Sequence, residues 1–180
     1  MIRKLIAPVA ALSALVATAP AMAALPVGAP APQIVTQGAI AGKTFTFDLQ
    51  KALKKGPVVL YFFPKAFTQG CTLETKAFAD ASDKFAAAKA TIVGMSADDL
   101  PTLQKFSTEA CRSKFGVATA GSAVVSAYKV SLLPAGIGGM TNRTSYVIGR
   151  DGKIVMVHSE MDWREHVAKT LAAVEALKGK

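Results

Sequence analysis

The run Val58-Val59-Leu60-Tyr61-Phe62-Phe63 is continuously apolar, β-branched and aromatic. A strand with one wet face alternates, so an unbroken run of this kind predicts a central strand covered on both sides. After Cys71, the residues Leu73, Ala77, Phe78, Ala81 and Phe85 recur on one side of a 3.6-residue period, the pattern of an amphipathic helix. Cys71 therefore falls at the start of that helix. Unsatisfied backbone N–H groups and the positive end of the helix dipole gather there, and both favour an anionic thiolate.

Further along, Ala90 to Met95 predicts a second buried strand, and helical spacing resumes from Asp98 to about Lys114, with Pro101 in the first turn. Ala123 to Lys129 has the length of a short helix, and the glycine-rich stretch Pro134 to Met140 is a loop. Arg143 to Ile148 and Ile154 to His158 are strand patterns around an Asp151-Gly152 turn, hence a hairpin. The last helix has Asp162 and Glu165 at capping-box spacing and Trp163, Val167, Leu171, Val174 and Leu177 on its apolar side. Upstream, Thr44 to Asp48 alternates like a short strand. Ala24 to Gly42 reads as an extended lead-in, because Pro26, Pro30 and Pro32 block any helix. This order describes an α/β chain with a central mixed β-sheet flanked by helices on both faces, which is the thioredoxin-like architecture.

The first 23 residues look like a targeting segment. Arg3 and Lys4 make a basic start, Leu5 to Val16 is apolar, and Ala21-Met22-Ala23 supplies small residues where a signal peptidase reads. The expected division is a signal peptide at 1–23 and one domain at 24–180, exported to the periplasm or secreted from a bacterium. The competing reading is an uncleaved anchor, since Leu5 to Leu25 carries no charge and is long enough to span a bilayer. The formal charge is +9, falling to +7 once Arg3 and Lys4 are removed. Its lysines and arginines are scattered, with Lys54-Lys55 the one basic pair after the signal, so solvated helix faces explain them better than a nucleic-acid stripe.

Pro64, Thr68 and Cys71 form a P-x-x-x-T-x-x-C pattern, followed by Gly70-Cys71-Thr72-Leu73-Glu74 and, far downstream, by Arg143 opening R-T-S-Y-V-I-G-R-D-G. The set resembles the peroxiredoxin family, of the alkyl hydroperoxide reductase and thiol-specific antioxidant type, nearest its bacterioferritin-comigratory (Q-type) branch. The resemblance runs from about Leu25 to the final helix. It implies a thiol-dependent peroxidase that needs no cofactor and acts on hydrogen peroxide and organic hydroperoxides. Cys71 is then the nucleophile. Arg143 steadies the thiolate and the polarised peroxide, Thr68 orients the substrate, Pro64 supplies an apolar wall, and Glu74 holds Arg143. Taken singly, each residue has a plainer reading: Thr68 as a helix N-cap, Pro64 as a strand end, and Arg143 as a surface arginine at a strand edge.

Cys111 stands in the second predicted helix, on the flank of the face made by Leu100, Leu103 and Ala110. Q-type relatives often place a resolving cysteine five positions after the first, where this chain has Lys76. Others carry it on the next helix, which suits Cys111. A resolving thiol, a static disulfide of an exported protein and an idle thiol all remain open for it. A thioredoxin-like disulfide reductase needs C-x-x-C, and Thr68 occupies the first thiol's place. A binding domain braced by its cysteines is the non-enzymatic rival. His158 and His166 are too few for a metal site and are expected at a strand end and on a helix surface. The partners implied are a peroxide and a thioredoxin-like or other dithiol reductant. A monomer without nucleic acid or lasting membrane attachment completes the expectation.

Overall fold

The computed structural model describes residues 24–133 and 139–178. The targeting segment read at 1–23 lies outside the described residues, as do positions 134–138 of the predicted loop. In chain order the strands are β1 (Val35–Ile40), β2 (Lys43–Asp48), β3 (Val58–Phe62), β4 (Thr91–Ser96), β5 (Gly116–Thr119), β6 (Thr144–Ile148) and β7 (Ile154–Ser159). The helices are α1 (Leu49–Lys55), α2 (Gln69–Ala87), α3 (Leu100–Glu109), α4 (Ser122–Ala127) and α5 (His166–Glu175). All seven strands join one sheet in the order β2-β1-β5-β4-β3-β6-β7. Its middle, β5-β4-β3, is parallel, and antiparallel strands continue it on either side.

The apolar run explains the layering. In β3 and the residue after it, Val59, Tyr61 and Phe63 face one core with Cys71, Phe78 and Phe85 of α2, Leu103 and Phe106 of α3, and Val174 of α5. Val58, Leu60 and Phe62 face the other core with Leu49 and Leu53 of α1 and Val125 of α4. Successive side chains of a strand point to opposite faces, so a run apolar at every position requires both layers. Fully burying each large side chain contributes about 1.5–3 kcal/mol.

Three elements escaped the sequence reading. Within the supposed lead-in, Val35–Ile40 is a strand, paired to β2 through a two-residue turn at Ala41 (φ 50°) and Gly42 (φ 75°). A Cβ at Gly38 would lie 2.5 Å from the Val117 carbonyl, so glycine lets β1 approach β5. The short helix α1 starts at Asp48, whose Oδ1 accepts from the Lys51 N–H at 3.1 Å. The four-residue β5 is too short to show a period.

Two predicted boundaries also move. Helix α3 stops at Glu109, short of Lys114, because Arg112 and Ser113 adopt left-handed backbone (φ 49° and 58°). Cys111 therefore lies just past that helix. At the C-terminus, Trp163–Glu165 forms a 3₁₀ turn, with Asp162 accepting from the Arg164 N–H at 3.1 Å. Glu165 pairs with Lys169 at 2.7 Å instead of closing a capping box. The fully buried stripe of α5 is His166, Thr170 and Val174, one residue round from the predicted face, and Val167, Leu171 and Leu177 flank it half-buried. His166 is thus in the interior, contrary to its expected place on a helix surface. His158 does end a strand as expected.

Another close approach in the sheet is between β4 and the Tyr61 ring. A Cβ at Gly94 would sit 2.6 Å from Tyr61 Oη and 2.7 Å from Cζ, and Tyr61 is fully buried between Phe63 and Phe78. Gly94→Ala is expected to lower unfolding free energy by about 1–3 kcal/mol through overpacking, read as an earlier denaturant midpoint. An unchanged midpoint would show that the ring has room to retreat.

Candidate active site

Strand β3 delivers the chain to a short, heavily tied loop. The Phe63 N–H donates to the Met95 carbonyl at 3.0 Å, and the Phe63 carbonyl accepts from Thr141 Oγ1 at 2.7 Å. Asp98 Oδ2 accepts from the Ala66 N–H at 2.7 Å and from Ser96 Oγ at 2.8 Å, fixing the loop from the neighbouring strand end. Phe67 adopts φ 64°, a left-handed conformation uncommon for a non-glycine residue, and its ring meets Phe106 edge-on at 5.1 Å.

Thr68 takes the N-cap position of α2, but its hydroxyl donates to the Lys65 carbonyl at 3.0 Å and does not cap the helix. The first helical bond runs from the Thr72 N–H to the Thr68 carbonyl at 2.9 Å. The N–H groups of Gln69, Gly70 and Cys71 consequently have no intrahelical partner. Cys71 is the third residue of a 19-residue helix and is 1% exposed.

Arg143 comes to Cys71 from the foot of β6. Its Nη2 donates to Cys71 Sγ at 3.4 Å, its Nη1 to Glu74 Oε2, and its Nε to the Met161 carbonyl at 2.9 Å. The guanidinium is 5% exposed, so the surface reading of Arg143 is overturned. Gly70 keeps the way clear, since a Cβ there would press on Arg143 Nη2 at 3.3 Å, with Trp163 Cδ1 at 3.8 Å. Glu74 is wholly buried one turn after Cys71, and burial pushes its carboxyl up to about 8 despite the opposing pull of Arg143. Three of the predicted residues, Cys71, Glu74 and Arg143, are joined by direct contacts. Pro64 lies half-buried at the end of the strand and Thr68 on the exposed shoulder of the loop.

Cys111 belongs to the same core cluster, fully buried, with its N–H donating to the Phe106 carbonyl at 3.1 Å. Burial pushes its thiol up. Both cysteines are free thiols.

Several contributors were not picked out from the sequence. His166 is enclosed beside Glu74, with Nδ1 2.8 Å from Ser145 Oγ and 3.6 Å from Glu74 Oε1. Burial is the main cause that lowers its pKa to about 4. The available signal was the i, i+4, i+8 series His166, Thr170, Val174, which competes with the more apolar series beside it. Tyr61 Oη shares a hydrogen bond with Thr75 Oγ1 at 3.0 Å under the site, and burial raises that phenol well above its ordinary value. Asp98 and the Met161 carbonyl had no sequence signature.

This arrangement can hold a nucleophilic sulfur in a water-poor recess beside a guanidinium and open helix N–H groups. Comparison with known proteins agrees with that chemistry. The AhpC/TSA family model matches residues 27–157. A Mycobacterium tuberculosis (strain H37Rv) protein named as a peroxiredoxin is 34% identical over 72% of this chain and 85% of its own. The chloroplastic peroxiredoxin Q of Populus jackii is 32% identical over 73% of this chain and 61% of its own. Among solved structures, peroxidoxin BcpB from Mycobacterium tuberculosis superposes with a TM-score of 0.77 at 30% identity, covering 85% of this chain and 98% of that one. With its thioredoxin-like fold, the chain belongs to the AhpC/TSA family, the peroxiredoxins.

Proposed function

We propose that the chain is an exported thiol-dependent peroxidase in which Cys71 reduces hydrogen peroxide and organic hydroperoxides and Cys111 resolves the product. The observation that carries this reading is the 3.4 Å approach of Arg143 Nη2 to Cys71 Sγ at the opening of α2. The Cys71 thiolate attacks one peroxide oxygen, the O–O bond breaks, and the other oxygen leaves as hydroxide or alkoxide. Arg143 and the free N–H groups of the first turn face the charge as it spreads over sulfur and oxygen. Because the Thr68 hydroxyl proton is committed to the Lys65 carbonyl, its oxygen is left to accept from the peroxide O–H. Pro64 adds an apolar wall without an N–H donor.

Attack of the Cys111 sulfur on sulfenic Cys71 forms a disulfide and releases water, and an external dithiol then reduces that disulfide. An exported location follows from residues 1–23 acting as a cleaved signal. In support of a domain that begins at Ala24, Ala24 and Leu25 pack against the core and the Leu25 N–H donates to Tyr146 Oη at 3.1 Å. The reductant is then a periplasmic thioredoxin-like protein, and the enzyme works as a monomer.

Reduced protein should consume one equivalent of hydrogen peroxide within milliseconds in stopped flow. Cys71→Ser should abolish that phase, and the sluggish rate of a free thiol in the wild type would reject the peroxidase reading. Arg143→Lys keeps a cation but loses the fork that spans Cys71, Glu74 and Met161, and should slow the phase roughly 100-fold or more.

Cys111→Ser separates the readings of the second cysteine. Its first turnover should stay fast while steady-state turnover with a dithiol collapses. Intact mass after one equivalent of peroxide should show the loss of two hydrogens in the wild type, mapped to Cys71 and Cys111. A lone sulfenic acid on Cys71 with undiminished turnover would make the protein a one-cysteine enzyme. The same spectrum of material from the periplasm should begin at Ala24.

A further inference from the structure

We infer that Glu74 and His166 hold a single buried proton between them behind Arg143, and that His166 is a positioning residue through which this proton sets the net charge of the Arg143–Glu74 pair facing Cys71. The inference rests on Cys71 being the peroxide-attacking thiolate.

The geometry fixes the hydrogen-bond roles. His166 Nε2 lies 2.9 Å from the Glu160 carbonyl, which only accepts, so Nε2 carries a proton. In the neutral ring Nδ1 is then an acceptor, and Ser145 Oγ donates to it at 2.8 Å. Glu74 Oε2 is bonded to Arg143, but Oε1 is fully buried and has no hydrogen-bond partner among the described residues. Its neighbour at 3.6 Å is the Nδ1 lone pair. Two acceptors face each other, and leaving a buried carboxylate oxygen without a donor is costly. One proton, on Oε1 or on Nδ1, turns this opposition into a hydrogen bond once the groups close by about 0.6–0.8 Å and the Ser145 hydroxyl turns aside from Nδ1. Both placements describe the same proton, so the two groups titrate as a unit.

Charged groups reach the pair from several elements, and the Glu160 carbonyl and Asp162 favour a charged His166. From α2 comes Glu74 and from the foot of β6 Arg143. From β7 comes His158, its ring 4.5 Å from that of His166, and from α5 itself Lys169, whose Nζ is 3.3 Å from His158 Nδ1. Glu165 and Glu160 stand farther out and act on His158. Burial, followed by His158, Arg143 and Lys169, disfavours a charged His166, whereas burial favours a protonated Glu74 up to about pH 8. The proton therefore rests mainly on Glu74, where Nδ1 receives it.

The sign of the consequence follows. With the proton in place the Arg143–Glu74 pair carries a net positive charge, which favours the thiolate and the anionic oxygen leaving it. Loss of the proton near pH 8 leaves that pair neutral. The rate of Cys71 sulfenylation should thus fall several-fold on the alkaline side.

Trp163, the chain's one tryptophan, lies beside Gly70 and serves as the stopped-flow reporter. Glu74→Gln keeps an acceptor toward Arg143 and should lose the alkaline limb. His166→Asn puts an amide N–H where the lone pair was, favours the carboxylate, and should move the limb to lower pH by about one unit. In wild-type reduced protein without peroxide, the ¹⁵N resonance of His166 Nδ1 should shift through the same pH and stay flat in Glu74→Gln. A wild-type Nδ1 resonance that is flat from about pH 6 to about pH 9, or an alkaline limb identical in wild type and His166→Asn, would overturn the inference. Slow peroxide consumption by the wild type would instead overturn the peroxidase reading, and the resonance would still judge the proton.

Discussion

The buried contact between Arg143 and Glu74 is the constraint around which the site is built. Taking a guanidinium out of water costs several kcal/mol, recovered only by close geometry and further hydrogen bonds. The fold supplies those from three elements: Glu74 from α2, Arg143 from the foot of β6, and the Met161 carbonyl from the turn before α5. A guanidinium has a planar fork of donors, and here one arm is spent on the carboxylate, one on the carbonyl and one on the sulfur. The cation is therefore fixed before any peroxide arrives. In the proposed reaction such preorganisation gives a charge in a dry recess its catalytic value, because no reorientation is needed as the O–O bond breaks.

Much of this was legible in the chain because its signals are local. The unbroken apolar run of β3 demands a sandwiched strand, and the period after Cys71 demands a helix whose first turn holds the thiol. Glu74 three residues on must share the Cys71 face of that helix. Arg143 was placed through its resemblance to a family pattern, since nothing in its neighbours says that an arginine at a strand foot turns inward. What could not be read depends on contacts distant in sequence. Strand β1 hides in a segment rich in proline and glycine because its pairing is set by β2 and β5, and Gly38 is wanted only because the Val117 carbonyl presses against it. His166 was set on the surface because a polar residue beside an apolar stripe normally lies there. Ser145 and the Glu160 carbonyl give it partners inside.

The two cysteines impose opposite demands on the same core. In the proposed cycle Cys71 works as an anion and needs the Arg143 pocket closed, whereas joining it to Cys111 requires two sulfurs buried in one core cluster to meet. Neither thiol is more than 1% exposed. Cys71 leaves its pocket only by giving up the Arg143 contact and the first turn of α2, which is held at its start by the bond from Thr72 to Thr68. Cys111 sits just beyond the end of α3, in a turn with two successive left-handed residues, Arg112 and Ser113. Short, strained connections of this kind are the cheapest places in a fold to open. Phe67, itself left-handed, links the two regions by packing its ring on Phe106, whose carbonyl holds the Cys111 N–H. One aromatic contact thus connects the Cys71 loop to the segment that carries Cys111.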